Sequence, residues 1–426
     1  MPRKPSPILA IFLTVLLDLL AFGLVIPDIQ LRGDALGAHG AVRGLLIATF
    51  SIAQLLTAPF LGRLSDRIGR RSILLFTTLL ATASMIAYAH ATELWIMFVA
   101  RALSGVAGAN IGVAYAYIAD VTPREERAKG FGIIGIAFGL GFILGPPVGA
   151  FLLSRGYSAA QLFARDAIDG AANLIPGLGV SAGHVMHAYQ SPSPAVLGYV
   201  AAGLAFVNFL YVYRFLPEPE RHEAQPARGL LPSLRIAFST PSLGLLMLLF
   251  FAANFAFSNL ESTYFMLSVH HFGLTQVQGA LILTFVGVVS AVMQGYVIRI
   301  VAPRYGEVKL IRLAYLCQVP ALLLIPFAPP WLPQLAVVLL LGVGAGLAQP
   351  SLGSLISQAA PPWMQGGTFG LTQALGALAR ILGPLAGNAF FDVRPWLPYA
   401  LASLVMLIPL LGAWRVRDPA PLQTAS

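Results

Sequence analysis

Cysteine is nearly missing: Cys317 is the only one in 426 residues, so no disulfide can form within the chain. Charge is scarce as well. Only 10% of the residues are Asp, Glu, Lys or Arg, against 57% hydrophobic, and the mean hydropathy is +0.78. A soluble core of this size needs far more charged surface, which excludes an ordinary water-soluble globule. No Gly-x-x-x-x-Gly-Lys-Ser/Thr loop occurs, which argues against direct drive by ATP. There is no His-Glu-x-x-His, and His184 with His187 supply too few ligands for a metal site. An enzyme is therefore not expected, nor a metal, nor a cofactor other than protons.

What is present is apolar length. A membrane helix needs about 20 mostly apolar residues, and the chain offers twelve such runs. They lie near 8–27, 42–61, 72–90, 94–118, 131–153, 196–216, 243–269, 279–301, 308–327, 332–356, 369–391 and 397–414. The first begins after Arg3 and Lys4, but it carries Asp18 and shows no clear cleavage site, so it reads as an uncleaved span. The net charge of +9 invites a nucleic-acid partner, yet the Lys and Arg lie between apolar runs. With the N-terminus inside, about 19 of the 26 fall on the inner side. That places both termini in the cytoplasm of an inner-membrane protein and leaves no nucleic-acid partner.

The expected fold is an all-α integral membrane protein of twelve transmembrane helices in two six-helix pseudo-repeats. The first half takes residues 1–216, a cytoplasmic linker 217–238, and the second half 239–426. Leu144-Gly-Pro-Pro-Val-Gly149 in span 5 repeats as Leu382-Gly-Pro-Leu-Ala-Gly387 in span 11. An outer-side insertion near 154–194 reads as a surface excursion or a gating lid.

The most informative stretch is Gly62-Arg63-Leu64-Ser65-Asp66-Arg67-Ile68-Gly69-Arg70-Arg71, with five charged residues in ten. Glycines at 62 and 69 permit turns, and Asp66 stands one helical turn before Arg70. A short basic loop joining spans 2 and 3 is the plain reading. The order of its residues resembles the loop between the second and third helices of the major facilitator superfamily, with every fixed position filled. Gly295–Lys309 is a weaker echo after span 8.

The remaining candidates are charged or polar groups inside spans, which are costly there and default to function. Asp18 in span 1 is either a packing hydrogen-bond partner or a proton-titrating carboxylate on a central cavity. Asp18 followed by Gly23 and Ile26-Pro27 is similar to the first span of the tetracycline-efflux branch. Arg101, in Arg101-Ala-Leu-Ser-Gly105, resembles the family's fourth-helix arginine, which implies a part in proton coupling, and the proton carrier is expected to be Asp18 or Glu261. The resemblance also implies that Asp120 pairs with the basic loop, so that Gly62, Asp66, Arg67, Gly69, Arg70 and Asp120 latch the outward-facing state. Gly141, Gly145, Pro146 and Gly149 resemble the fifth-helix motif of drug:proton antiporters, although spacing of four also serves close helix packing. Asn110, Asn254, Asn259, Gln294, Gln349, Gln373 and Arg380 are candidates to line a substrate cavity. The expected function is proton-coupled export of a small amphipathic molecule by a monomer in the lipid bilayer. The alternatives are an uptake symporter for a metabolite, or a non-coupled lipid flippase or receptor on the same fold.

Overall fold

The computed structural model describes residues 6–122, 194–219, 241–360 and 365–416, with those between 134 and 152 except 135, 138, 142 and 150. The described residues contain helices and no strands. Span 1 is Pro7–Ala35, span 2 Gly40–Ile68 and span 3 Arg70–Ala89. Span 4 is built of Leu94–Gly108 and Asn110–Val121, span 5 contains the helix Gly139–Gly149, and span 6 is Pro194–Phe215. Span 7 is Pro241–Met266, prolonged by a wide turn at Leu267–His271. Span 8 runs from Gln276 to Tyr305 through another wide turn, Met293–Val297. Spans 9 to 12 are Glu307–Leu324, Leu332–Ala359, Gln365–Phe391 and Leu397–Ala413. Nine helices among the described residues are long and apolar enough to cross a membrane. The expected insertion 154–194, apart from its last residue, and the linker beyond residue 219 lie outside the described residues.

Spans 1 and 2 are each 29 residues long, beyond the 20 or so that a ~30 Å hydrocarbon core demands. The surplus length suits ends that reach into the polar layer, where charge costs little. This corrects the expected loop between spans 2 and 3. Helix 2 absorbs Gly62 to Ile68, and the connection is the single residue Gly69 at φ 108° and ψ 147°. Only glycine adopts that conformation freely. Gly62 stays helical, with nothing within 4 Å of where a Cβ would stand, so it makes no turn. The second half repeats the device: Gly306, at φ 77° and ψ 153°, alone separates span 8 from span 9.

At Gly69 the carboxylate of Glu218, just past span 6, accepts from the backbone N–H of Arg70 at 2.6 Å and of Arg71 at 3.1 Å. It thereby satisfies donors that a helix start leaves open. Gly69→Ala is expected to cost about 1–3 kcal/mol of backbone strain, with its Cβ 2.8 Å from the Glu218 carboxylate. Thermal unfolding in detergent should show a lowered Tm for Gly69→Ala and an equal or slightly raised one for Gly62→Ala, since Ala is the better helix former.

The buried apolar residues form separate cores. Two lie within spans 1–6, one centred on Ile73, Val113 and Tyr117, the other on Leu46, Met85 and Met97. The largest lies within spans 7–12, around Tyr264, Ile311 and Leu352. The two sets of spans meet mainly where span 2 packs along span 11. The fit is backbone on backbone: a Cβ on Gly44 would stand 2.4 Å from the carbonyl oxygen of Pro384. Span 1 meets span 7 nearby, where Ile26 packs with Phe265 and Ala280, and Gln30 donates to the Glu261 carbonyl at 3.0 Å.

Candidate functional site

Between the two sets of spans lies a cavity of about 2680 Å³. It runs from Ile29 and Gln30, deep in the molecule, to Arg63, Asp66 and Arg299, on the face that carries Gly69. This basic face is where the cavity opens. The opposite face is shut by Arg43, whose side chain is only 1% exposed. Its Nη1 meets Asp34 Oδ1 at 2.5 Å, its Nη2 meets Asp392 Oδ1 at 2.6 Å, and its Nε donates to Asn388 Oδ1 at 2.8 Å. Span 2 is thus pinned to the end of span 11 by one planar fork, a geometry that lysine cannot reproduce. Nothing in the local sequence marks Arg43, because two of its partners lie in the other half of the chain.

Asp18 lines the cavity together with Asn110. Both carboxylate oxygens are taken by amides: the Asn110 side-chain NH2 donates to Oδ2, and Asn208 donates to Oδ1 at 2.7 Å. Asn208 also reaches the Thr14 carbonyl, so Asp18 ties span 1 to spans 4 and 6. No salt bridge to Asp18 is found among the described residues. Asn208, a lone amide in the apolar run of span 6, was the missing member of this cluster. Spacing alone does not single it out.

Arg101, Glu261 and Arg380 also face the cavity. The guanidinium of Arg101 rests on the tilted pair Phe22 and Phe50, 5.5 and 5.1 Å from the ring centres. Arg101 and Arg380 are the cations whose charge acts on Glu261. Gln294, Gln349 and Gln373 line the same cavity, as does Asn254, whose amide donates to the Phe250 carbonyl of its own helix.

Asn259 stands elsewhere. It is 0% exposed and is not among the cavity-lining residues. It fills the space above Gly383 and Gly387 where span 7 meets span 11. Its helical position turns it away from the face that carries Asn254 and Glu261.

On the basic face, Arg70 pairs with Asp66 at 2.5 Å and with Asp120 at 2.9 Å. All three lie in the first half of the chain and are joined while the cavity is open beside them. They fasten span 2, span 3 and span 4 together, and in this structure the expected latch is intact with the cavity open beside it. Arg67 is exposed and makes no hydrogen bond or ion pair among the described residues. In the second half Glu307 follows Gly306 as Arg70 follows Gly69. Its Oε1 accepts from Ser354 at 3.1 Å, a neutral version of the same tie.

The glycine string of span 5 faces span 1. A Cβ would stand 2.5 Å from Leu19 Cβ at Gly141, 2.6 Å from Gly23 Cα at Gly145, and 2.0 Å from the Leu24 carbonyl oxygen at Gly149. Pro146 lines the cavity beside them. No group of three or more His, Cys, Asp or Glu able to hold a metal is found among the described residues. One Gly-x-Ser-x-Gly string, the spacing of a hydrolase nucleophile, does occur at 179–183, and it lies outside the described residues.

Comparison with known proteins adds the relatives. The family model described as Major Facilitator Superfamily matches residues 11–164 and 167–384. Multidrug resistance protein 2 of Bacillus subtilis is 27% identical, over 92% of this chain and 90% of its own. The class C tetracycline resistance protein of Escherichia coli is 29% identical, over 97% and 98%. The crystal structure of the human organic anion transporter MFSD10 (TETRAN) superposes with a TM-score of 0.65 at 26% identity, covering 96% of this chain and all of that one.

Proposed function

Because the chain belongs to the major facilitator superfamily, and is on that ground a multi-pass membrane transporter and not an enzyme, we propose that it exports small amphipathic molecules in exchange for protons. The basic face is the cytoplasmic one, in keeping with the distribution of Lys and Arg, so the open cavity is the inward-facing state. Cargo enters between Arg63 and Arg299. The Arg43 fork then parts on the far face as the halves rock about the midplane.

The observation that carries this reading is Asp18. A carboxylate within a span, on a cavity wall, with no cation paired to it, is expensive in the membrane interior. A proton is the smallest group that neutralises it. Two amide donors favour the charged form, so protonation weakens these hydrogen bonds, most at the oxygen that takes the proton. That loosens the tie between span 1 and spans 4 and 6, which is a route from proton binding to helix movement. The span 5 glycines bear on Leu19, Gly23 and Leu24 of the same helix, next to Asp18, and the drug-resistance relatives support export as the direction. The working unit is a single chain.

The test uses proteoliposomes loaded with a pH-sensitive dye and an acid interior. Amphipathic drugs should collapse the gradient with the wild-type protein. With Asp18→Asn, which keeps the shape and loses the titrating group, the response should fall to background. An undiminished response in Asp18→Asn would remove Asp18 from the coupling.

A further inference from the structure

Two cations face the cavity with more donors than the protein uses. Arg101 is 4% exposed. Its Nη2 reaches the Ile47 carbonyl at 3.2 Å, while its Nε and Nη1 have no hydrogen-bond partner. Arg380 comes from span 11, in the other half of the chain, and makes no hydrogen bond or ion pair among the described residues. Its Nη1 lies over Gly376, in the space a Cβ would enter at 3.4 Å, and Phe250 stands beside it at the same distance.

A guanidinium offers five N–H donors and cannot shed its charge. Leaving such donors unmet away from bulk water is costly. The acceptors present do not match them. Asp18 is occupied by Asn110 and Asn208. Glu261 is the carboxylate whose charge acts on both arginines, and it is hydrogen-bonded to neither. The wall between them is aromatic and apolar, with Phe22, Phe50 and Phe250.

We propose that the cargo is an amphipathic organic anion. Its carboxylate or sulfonate sits between Arg101 and Arg380 and displaces Glu261 as their counter-charge, and its apolar body lies against Phe22, Phe50 and Phe250. The two oxygens of a carboxylate, or the three of a sulfonate, can accept paired N–H bonds from a guanidinium fork, and stacking on the rings holds the Arg101 guanidinium in place for it. Glu261 is the specificity device: it keeps the arginines from binding small inorganic anions and competes with every anionic cargo. The proposal rests on the cavity being the cargo site, as in the transporter reading, but not on Asp18 as the proton carrier.

The experiment measures equilibrium binding to the full-length protein in lipid nanodiscs, with three probes that share one aromatic body: naphthalenesulfonate, naphthylmethyl-trimethylammonium and naphthalenemethanol. In the wild type the sulfonate should bind at least about tenfold more tightly than the ammonium. Arg380→Gln and Arg101→Gln should each weaken the sulfonate by about tenfold or more. Glu261→Gln, which removes the competitor, should tighten it by about tenfold; a misfolded protein cannot mimic that gain. Equal or tighter binding of the ammonium or the alcohol overturns the proposal, as does failure of all three to bind, or an unchanged sulfonate affinity in Glu261→Gln. Sulfonate binding without proton movement leaves this proposal standing and defeats proton exchange. Proton movement driven by the ammonium alone does the reverse.

Discussion

Replacing Arg43 with glutamine unlocks the far face of the cavity. The arginine is 1% exposed, while its partners Asp34 and Asp392 are 24% and 39% exposed, so these carboxylates can rehydrate when the cation is lost. The cost therefore falls below the ~3–5 kcal/mol of a fully buried broken pair, at about 2–3 kcal/mol. That amounts to roughly a 30- to 150-fold shift between closed and open far faces. A cysteine reporter can read it. The chain has one native thiol, so Cys317→Ser gives a blank background, and Ile29→Cys places a probe on the deep cavity wall at a position 3% exposed. An impermeant thiol reagent added from the far side should label this probe slowly with Arg43 in place and many times faster with Arg43→Gln. Arg43→Lys should fall between, since it keeps the charge but loses the fork that reaches three partners. Equal labelling rates in all three would mean that the gate is held by the Gly44–Pro384 packing alone.

The contrast between Arg43 and Asp66 shows what a linear sequence displays and what it hides. Asp66 and Arg70 are one turn apart, and their pairing at 2.5 Å is a matter of helical spacing. Arg43 and Asn388 are separated by 345 positions, and no periodicity connects them. Arg43 therefore reads from the sequence as one more charge at the edge of the apolar run, although helix 2 begins at Gly40 and buries it. The same limit governs span 6, where Asn208 gains meaning only once Asp18 is placed beside it. Asn259 fails for another reason. Its neighbours Asn254 and Glu261 do face the cavity, but residues two apart on a helix do not share a face, so a polar cluster in sequence splits between cavity and interface in space. The spans themselves were plain because twenty apolar residues in a row have few other uses. Their ends were not, because helix 2 continues into polar surroundings until the one residue, Gly69, that breaks it. Of the loop signature, Asp66 and Arg70 pair as their spacing suggests, while its shape depended on a single backbone angle.

Gly149→Ala should disable the protein more severely than any removal of charge on the basic face. Its Cβ would be placed 2.0 Å from the Leu24 carbonyl oxygen, and that atom is backbone in the middle of span 1, unable to swing aside as a side chain could. Either spans 1 and 5 separate or the helices bend. Overpacking of this kind costs about 1–3 kcal/mol where neighbours can shift, and more where they cannot. Gly145→Ala, 2.6 Å from Gly23 Cα, should behave alike. Gly139→Ala is the internal control: the same helix and substitution, but nothing within 4 Å of the added carbon. Its melting temperature and transport should match the wild type, within about 0.5 kcal/mol. Transport at rising expression then separates two uses of the glycines. If Gly149→Ala melts lower and loses transport in proportion, span 5 serves as a packing surface and nothing more. If melting stays near that of the wild type while transport is lost, close contact with span 1 is needed for movement itself. The string would then act by letting span 1, with Asp18 on it, slide against span 5 as the cavity changes sides, and glycine suits that task because it leaves no side chain to catch.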